Sequence, residues 1–383
     1  MKVLYFSDNI SDHNRRFMEK ISEAGLECWF LDPTTESLPQ GWLPKAVHWV
    51  RTGKKMERGC LPSRFAEFLP AFRECVRKIG PDLIHAGPTP TAGYVTALSG
   101  FHPWLLGTWG WDVLYQPEQG PEWRQATEFA VTKADAVYVD CGAARDRICE
   151  FADFPDSRIV QFPMGIKRGV FGPDGDAPQP DEFAHEPGTY VILSTRSWEP
   201  LYAVDVLLEA FRRAYSHNPS LRLVLLGSGS LEAEVRQFVR DHNLGRVVQT
   251  PGRISASETA KWFRAADVYI SCAKTDGTSV SLLEAMATGL PAVVTDIPSN
   301  REWVTNGENG WLAASGSPEE FSDRMLRAAQ LTRERREEIS EQNQKLVADR
   351  ADWDGNFARL LKMYERLAAL PVVRMKSQAH LGT

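Results

Sequence analysis

At 383 residues the chain exceeds the roughly 250 to 300 residues at which one hydrophobic core stops growing, so two domains are expected. Hydrophobic residues at 43% and charged residues at 25% describe a globular protein, and a net charge of −6 excludes the basic excess of a nucleic-acid binder. No run approaches the roughly 18 apolar residues of a membrane span, which leaves at most peripheral membrane contact.

The chain opens with MKVLYFSDN, which suits a buried first strand and not a signal peptide. Cys28, Cys60, Cys75, Cys141, Cys149 and Cys272 are scattered without a Cys-x-x-Cys pair, which predicts a reducing cytoplasm and argues against a zinc site. The basic group Arg51, Lys54, Lys55 and Arg58 reads as a solvated loop.

In chain order, apolar runs at 3–6, 26–31, 82–86, 104–109, 136–140 and 159–162 predict strands. Helical patterns lie between them, such as RRFMEKISEAG and RFAEFLPAFRECVRKIG, the second closing at Gly80 before Pro81. A Pro/Gly/Asp-rich segment at 172–188 reads as a linker, after which YVILST, LRLVLLG, VVQTPG, DVYIS and PAVVTD restart the alternation. The tail WDGNFARLLKMYERL, 353–367, is a further amphipathic helix. The pattern predicts two α/β, doubly wound, Rossmann-like domains with parallel sheets: 1–173, a linker 174–188, 189–350, and a C-terminal helix within 351–370.

In such folds ligands bind beyond the carboxyl ends of the strands. After DVYIS, the stretch TDGTSVSLLEAMAT places Gly277, Thr278, Ser279 and Val280 at a helix start, where free N–H groups and the dipole favour phosphate oxygens. Two readings fit the flanking carboxylates: Asp276 and Glu284 bind sugar hydroxyls, or Asp276 caps the helix and Glu284 lies on a solvated face. Arg196, directly after YVILST, offers planar donors to a diphosphate. Gly227-Ser228-Gly229-Ser230 forms a strand-to-helix turn that lacks the third glycine of a dinucleotide fingerprint. Asp112 with Trp109 and Trp111 suits a sugar, although packing accounts equally for the two rings. No His/Asp/Glu spacing of a metal site is present.

Together these residues resemble the retaining glycosyltransferases of the GT-B class, family 4. The resemblance rests on Asp276 to Glu284 with LLEAMATGLPAVVTD, on STRSWEPLYAVDVLLEAF, GSGSL, FPMGIKRGVFGP, GRISASETAKWFRAADVYIS and NREWVTNGENGWL. It implies two domains facing across a cleft, with the C-terminal helix crossing back to the first. It also implies transfer of a sugar from a nucleotide-diphosphate-sugar to an acceptor hydroxyl with retention and without a required cofactor or metal. Glu284 would hold the ribose and Arg196 the diphosphate. Asp276 with the amides of Gly277 to Val280 would hold the transferred sugar and phosphate, with Gly227, Gly229 and Arg253 completing the donor site. The acceptor, a glycan, a lipid-linked glycan or a small molecule, would meet the N-terminal domain.

The chain departs from the family in four places. Asp276 stands for the commoner Glu, and Tyr202 for a basic residue six positions after Arg196. SDNISDHNRRF replaces a glycine-rich loop, which offers His13, Asn14 or Arg15 to phosphate or acceptor. Gly110 stands near a usual histidine, which leaves Asp112, with His85 a further candidate. Alternatives are a GT-B epimerase or phosphorylase, and a non-catalytic nucleotide-sugar-binding partner subunit.

Overall fold

The computed structural model describes residues 1–166, 169–175 and 188–373. Lys167, Arg168 and most of the expected linker lie outside the described residues. The chain divides into two units, one of residues 1–162 with the segment from Asp354 onward, the other Pro163–Trp353.

In the first unit the strands are β1 (Lys2–Phe6), β2 (Glu27–Leu31), β3 (Val47–Val50), β4 (Leu83–Ala86), β5 (Trp104–Gly107), β6 (Ala136–Val139) and β7 (Ile159–Gln161). They form a seven-stranded sheet in the order β3-β2-β1-β4-β5-β6-β7, every pair parallel. Parallel neighbours need crossover connections, so helices cover both faces and the central strands become continuously apolar. Side chains alternate across the sheet. Phe6 lies 4.8 Å from Phe72 on one face, while Tyr5 lies 6.2 Å from Phe17 on the other.

The C-terminal helix Trp353–Ala368 belongs to this unit. Phe357, Leu360, Tyr364 and Leu367 recur at helical spacing and are buried. The expected single helix over 64–80 is instead two, Pro62–Ala66 and Leu69–Ile79. Pro70 has no N–H to return to residue 66, which ends the first helix.

The second unit carries β8 (Tyr190–Ser194), β9 (Leu221–Leu226), β10 (Val248–Gly252), β11 (Val268–Ser271), β12 (Ala292–Thr295) and β13 (Gly310–Ala313). Their order is β10-β9-β8-β11-β12-β13, again all parallel. Pro251 is tolerated because β10 is an edge strand with an irregular register.

Behind β11 and β12 the helix Val280–Ala287 ends at Gly289, φ 91°. A Cβ there would meet Ser340 Oγ at 2.0 Å, so glycine lets the helix Arg333–Arg350 close on this turn. Asn343 on that helix is fully buried and donates to the carbonyls of Leu290 at 2.8 Å and Asn309 at 3.1 Å. Asn309 Nδ2 returns bonds to Asn343 Oδ1 and to the Trp303 carbonyl, both at 2.9 Å. Among the described residues no helix is long and apolar enough to cross a membrane.

Candidate functional site

Arg196 leaves the end of β8 and is held on three sides. Its Nη2 donates to Asp276 Oδ2 at 2.7 Å, and Nη1 donates to Ser279 Oγ at 2.8 Å and to Ser281 Oγ at 3.1 Å. Its guanidinium lies 4.2 Å from the centre of the Tyr202 ring. The Arg196 and Asp276 side chains are only 13% and 18% exposed, so this ion pair is poorly screened. Burial works against the arginine's charge, and Asp276, Tyr202 and Tyr269 together more than offset it, so its pKa is raised. Burial also raises the Asp276 pKa, opposed by Arg196, and at 2.7 Å the pair is ionised. Tyr269 Oη, 2.8 Å from Ser281 Oγ, completes the cluster.

Ser279, not Asp276, caps the helix Val280–Ala287: its Oγ accepts from the Leu282 amide at 3.4 Å. The capping alternative for Asp276 is thereby corrected, and its side chain is turned to Arg196. Gly277, Thr278 and Ser279 are buried at this helix start, with Val280 half-buried. Glu284, the fifth residue of this helix, is half-buried.

The glycine-rich turn serves the arginine loop. A Cβ at Gly229 would meet the Trp198 carbonyl oxygen at 2.3 Å, and the Trp198 amide donates to the Ser228 carbonyl at 3.1 Å. The Ser230 amide donates to Glu199 Oε1 at 3.0 Å. Gly227, φ 120°, has equally little room, with the Arg196 carbonyl oxygen 2.9 Å from a would-be Cβ. Gly227 and Gly229, expected to complete the donor site, are thus also required by the close approach of the loop that carries Arg196. Arg253 is exposed just beyond β10.

In the first unit several of the expected residues are packed among their neighbours. Asp112 is fully buried. Its Oδ2 accepts from the Thr89 amide at 2.8 Å and hydroxyl at 2.7 Å, and its Oδ1 from the Trp109 amide at 2.7 Å. Burial raises its pKa and these donors oppose that. In this structure its carboxylate joins the loops that carry Thr89 and Trp109. His85 is packed as well. Tyr364 Oη lies 2.6 Å from its Nδ1, and burial pushes its pKa down to about 3, which keeps it neutral.

Asn14 is fully buried, with Tyr5 Oη donating to its Oδ1 at 2.9 Å and its Nδ2 donating to Ser7 Oγ at 3.0 Å and the Asn9 carbonyl at 2.8 Å. These bonds tie the loop after β1 to the helix Asp12–Glu23. Arg15 turns outward to Glu19 at 2.8 Å. His13, half-buried, stacks 6.0 Å from Trp109, whose other neighbour is Phe17 at 5.9 Å. Trp111 is half-buried. Of the acceptor candidates, His13, Trp109 and Trp111 therefore keep partly open positions.

Asp8, which sequence reasoning passed over, sits buried at the end of β1. Thr91 Oγ1 donates to its Oδ2 at 2.7 Å and Asn9 Nδ2 to its Oδ1 at 3.0 Å. Burial, with Asp32 nearby, outweighs these bonds and Arg58 and raises its pKa to about 6. Its position as the first polar pair after an apolar strand was the available signal. Because the folded value lies above the unfolded one of about 4, ionising Asp8 costs more in the fold. Wild type should therefore lose stability relative to Asp8→Asn as pH rises from about 4 to about 6. Urea unfolding of both proteins at the two ends of that window checks it, and a constant difference refutes it.

The early basic group is compensated: Lys54 and Glu67 lie 3.2 Å apart, Lys55 and Glu36 2.9 Å, and Arg51 sits over Trp49. None of the six cysteines forms a disulfide. Among the described residues no group of three or more His, Cys, Asp or Glu is arranged to hold a metal ion.

Comparison with known proteins matches residues 177–346 to the family model "Glycosyl transferases group 1" and residues 2–141 to "Glycosyl transferase 4-like". The chain is 29% identical over 343 residues to a D-inositol 3-phosphate glycosyltransferase of Pseudarthrobacter chlorophenolicus, covering 81% of this chain and 79% of the relative. Its fold is similar to that of sucrose-phosphate synthase from Thermosynechococcus elongatus, with a TM-score of 0.82 at 18% identity over 96% of this chain and 100% of that one. Anabaena HepE, solved with UDP and glucose, gives a TM-score of 0.72 at 17% identity over 97% and 100%.

Proposed function

Because the chain belongs to the group 1 glycosyltransferases and has their GT-B fold of two parallel-sheet, Rossmann-like domains, we propose a specific transfer. It moves a sugar from a nucleotide-diphosphate-sugar to an acceptor hydroxyl, with retention and without a required metal. One observation carries the donor assignment: Arg196 stands at the buried start of the helix Val280–Ala287, braced by Ser279, Ser281 and Tyr202. Fixed N–H donors there suit a diphosphate.

In the proposed reaction the bond from the anomeric carbon to the diphosphate oxygen breaks. A bond to the acceptor oxygen forms on the same face, and the acceptor proton passes to the leaving diphosphate. Negative charge grows on that diphosphate, so donors already aimed at it lower the barrier, by about 3 to 4 kcal/mol for one well-placed group. In this reading Glu284 holds the ribose hydroxyls, Asp276 a hydroxyl of the transferred sugar, and the first unit, around His13, Trp109 and Trp111, the acceptor.

The test is a thermal-shift screen with UDP, GDP, ADP and dTDP, followed by incubation with the matching sugar nucleotides. A ligand that binds only the folded state raises the melting temperature. One nucleotide should stabilise, and its sugar donor should release nucleoside diphosphate faster with an acceptor present. Tyr202 in place of a basic residue favours a second reading, a non-catalytic binder, which predicts stabilisation without any release. Stabilisation by none of the four removes the donor assignment.

A further inference from the structure

The anion site is already occupied from within. Arg196 Nη2 lies 2.7 Å from Asp276 Oδ2, and Tyr202, standing in place of a basic residue, lays its ring against the guanidinium at 4.2 Å. Arginine is braced independently by Ser279 and Ser281, and Ser281 by Tyr269. The backbone at Asp276 is also tethered apart from its carboxylate, since Ser299 Oγ donates to the Asp276 carbonyl at 2.9 Å. The Asp276 carboxylate also takes hydrogen bonds from the Gly277 amide and from Ser279, and the exchange moves it off Arg196 while the loop keeps its backbone tie to Ser299.

We propose that Asp276 is an internal counterion that trades places with the donor's diphosphate on Arg196. Resting on the donor-site reading above, the exchange runs in both directions. When the diphosphate takes the guanidinium, the released carboxylate, still largely buried, needs a new donor, and a hydroxyl of the transferred sugar supplies one. When the sugar has left with the acceptor, the carboxylate has lost that partner and faces two phosphates. It returns to Arg196 and displaces the nucleoside diphosphate. Tyr202, standing where a basic residue is usual, adds no charge for a second anion, so the carboxylate and the diphosphate compete for Arg196. The site thus prefers a sugar-bearing donor over its own product.

Inorganic pyrophosphate, which needs no knowledge of base or sugar, is the probe. Calorimetric titration should show Asp276→Asn binding pyrophosphate roughly tenfold more tightly than wild type, within the usual range for coupled ligands. The variant keeps the side chain's shape and loses its charge, and Asp276→Ser repeats the comparison with a smaller residue. Melting temperatures confirm that each protein is folded. Equal or weaker pyrophosphate binding by both folded variants overturns the exchange. If neither wild type nor variants bind pyrophosphate, the anion-site assignment itself falls, which is a different result.

Discussion

Arg196→Ala is expected to lower kcat/KM by about two to three orders of magnitude, the usual cost of removing one donor aimed at developing negative charge. The same substitution should cost stability, because it leaves Asp276 at 18% exposure without the cation 2.7 Å away. Breaking a buried pair from one side typically costs about 3 kcal/mol or more. The two effects separate in the double variant Arg196→Ala/Asp276→Asn, which no longer carries an orphaned charge. Its melting temperature should recover toward wild type while its turnover does not. Steady-state rates with the donor identified by the thermal-shift screen, beside thermal unfolding of both variants, check this. A single variant within threefold of wild-type activity would falsify the phosphate role.

Glu284→Ala should weaken nucleoside diphosphate binding by about 10- to 100-fold, since a hydrogen bond to a charged group contributes about 1.5 to 3 kcal/mol. The ribose is held alike in ground state and transition state, so the loss should appear in KM with kcat nearly unchanged. This pattern differs from that of Arg196, whose contact strengthens as the bond breaks. Calorimetry on the variant gives the answer directly: an unchanged Kd means that Glu284 does not hold the ribose.

The order of strands and helices was largely legible because buried parallel strands are short apolar runs and the crossovers between them are amphipathic. β3 and β13 escaped. VHWV is a half-exposed edge strand behind a proline-rich loop, and GWLA is a four-residue strand emerging directly from a glycine turn. The break at Glu67 and Phe68 was missed because the apolar spacing runs across it. In the second unit the cluster around Arg196 was foreshadowed by motif, but its bracing by Ser281 and Tyr269 was not, since these join different elements and have no sequence spacing in common.

In the first unit Asp112 and His85 were singled out near strand ends, and Asn14 in the segment that replaces a glycine-rich loop. Each has its polar atoms engaged by partners inside the same unit, from residues as distant as Tyr364. A sequence records that such a group is polar and loop-borne. It does not record whether the loop closes over it.

The seal at Gly289 and Asn343 bears on how the second unit breathes. The helix Val280–Ala287 is fastened at its far end by Asn343, through the Leu290 carbonyl, and by the close passage of Ser340. Its amides near that end should exchange with solvent only when the unit opens as a whole, whereas the loop 272–279 at its start is tied mainly through side chains. Sub-global fluctuation is thereby confined to the end of the helix where the proposed donor site lies, and the axis behind it stays still.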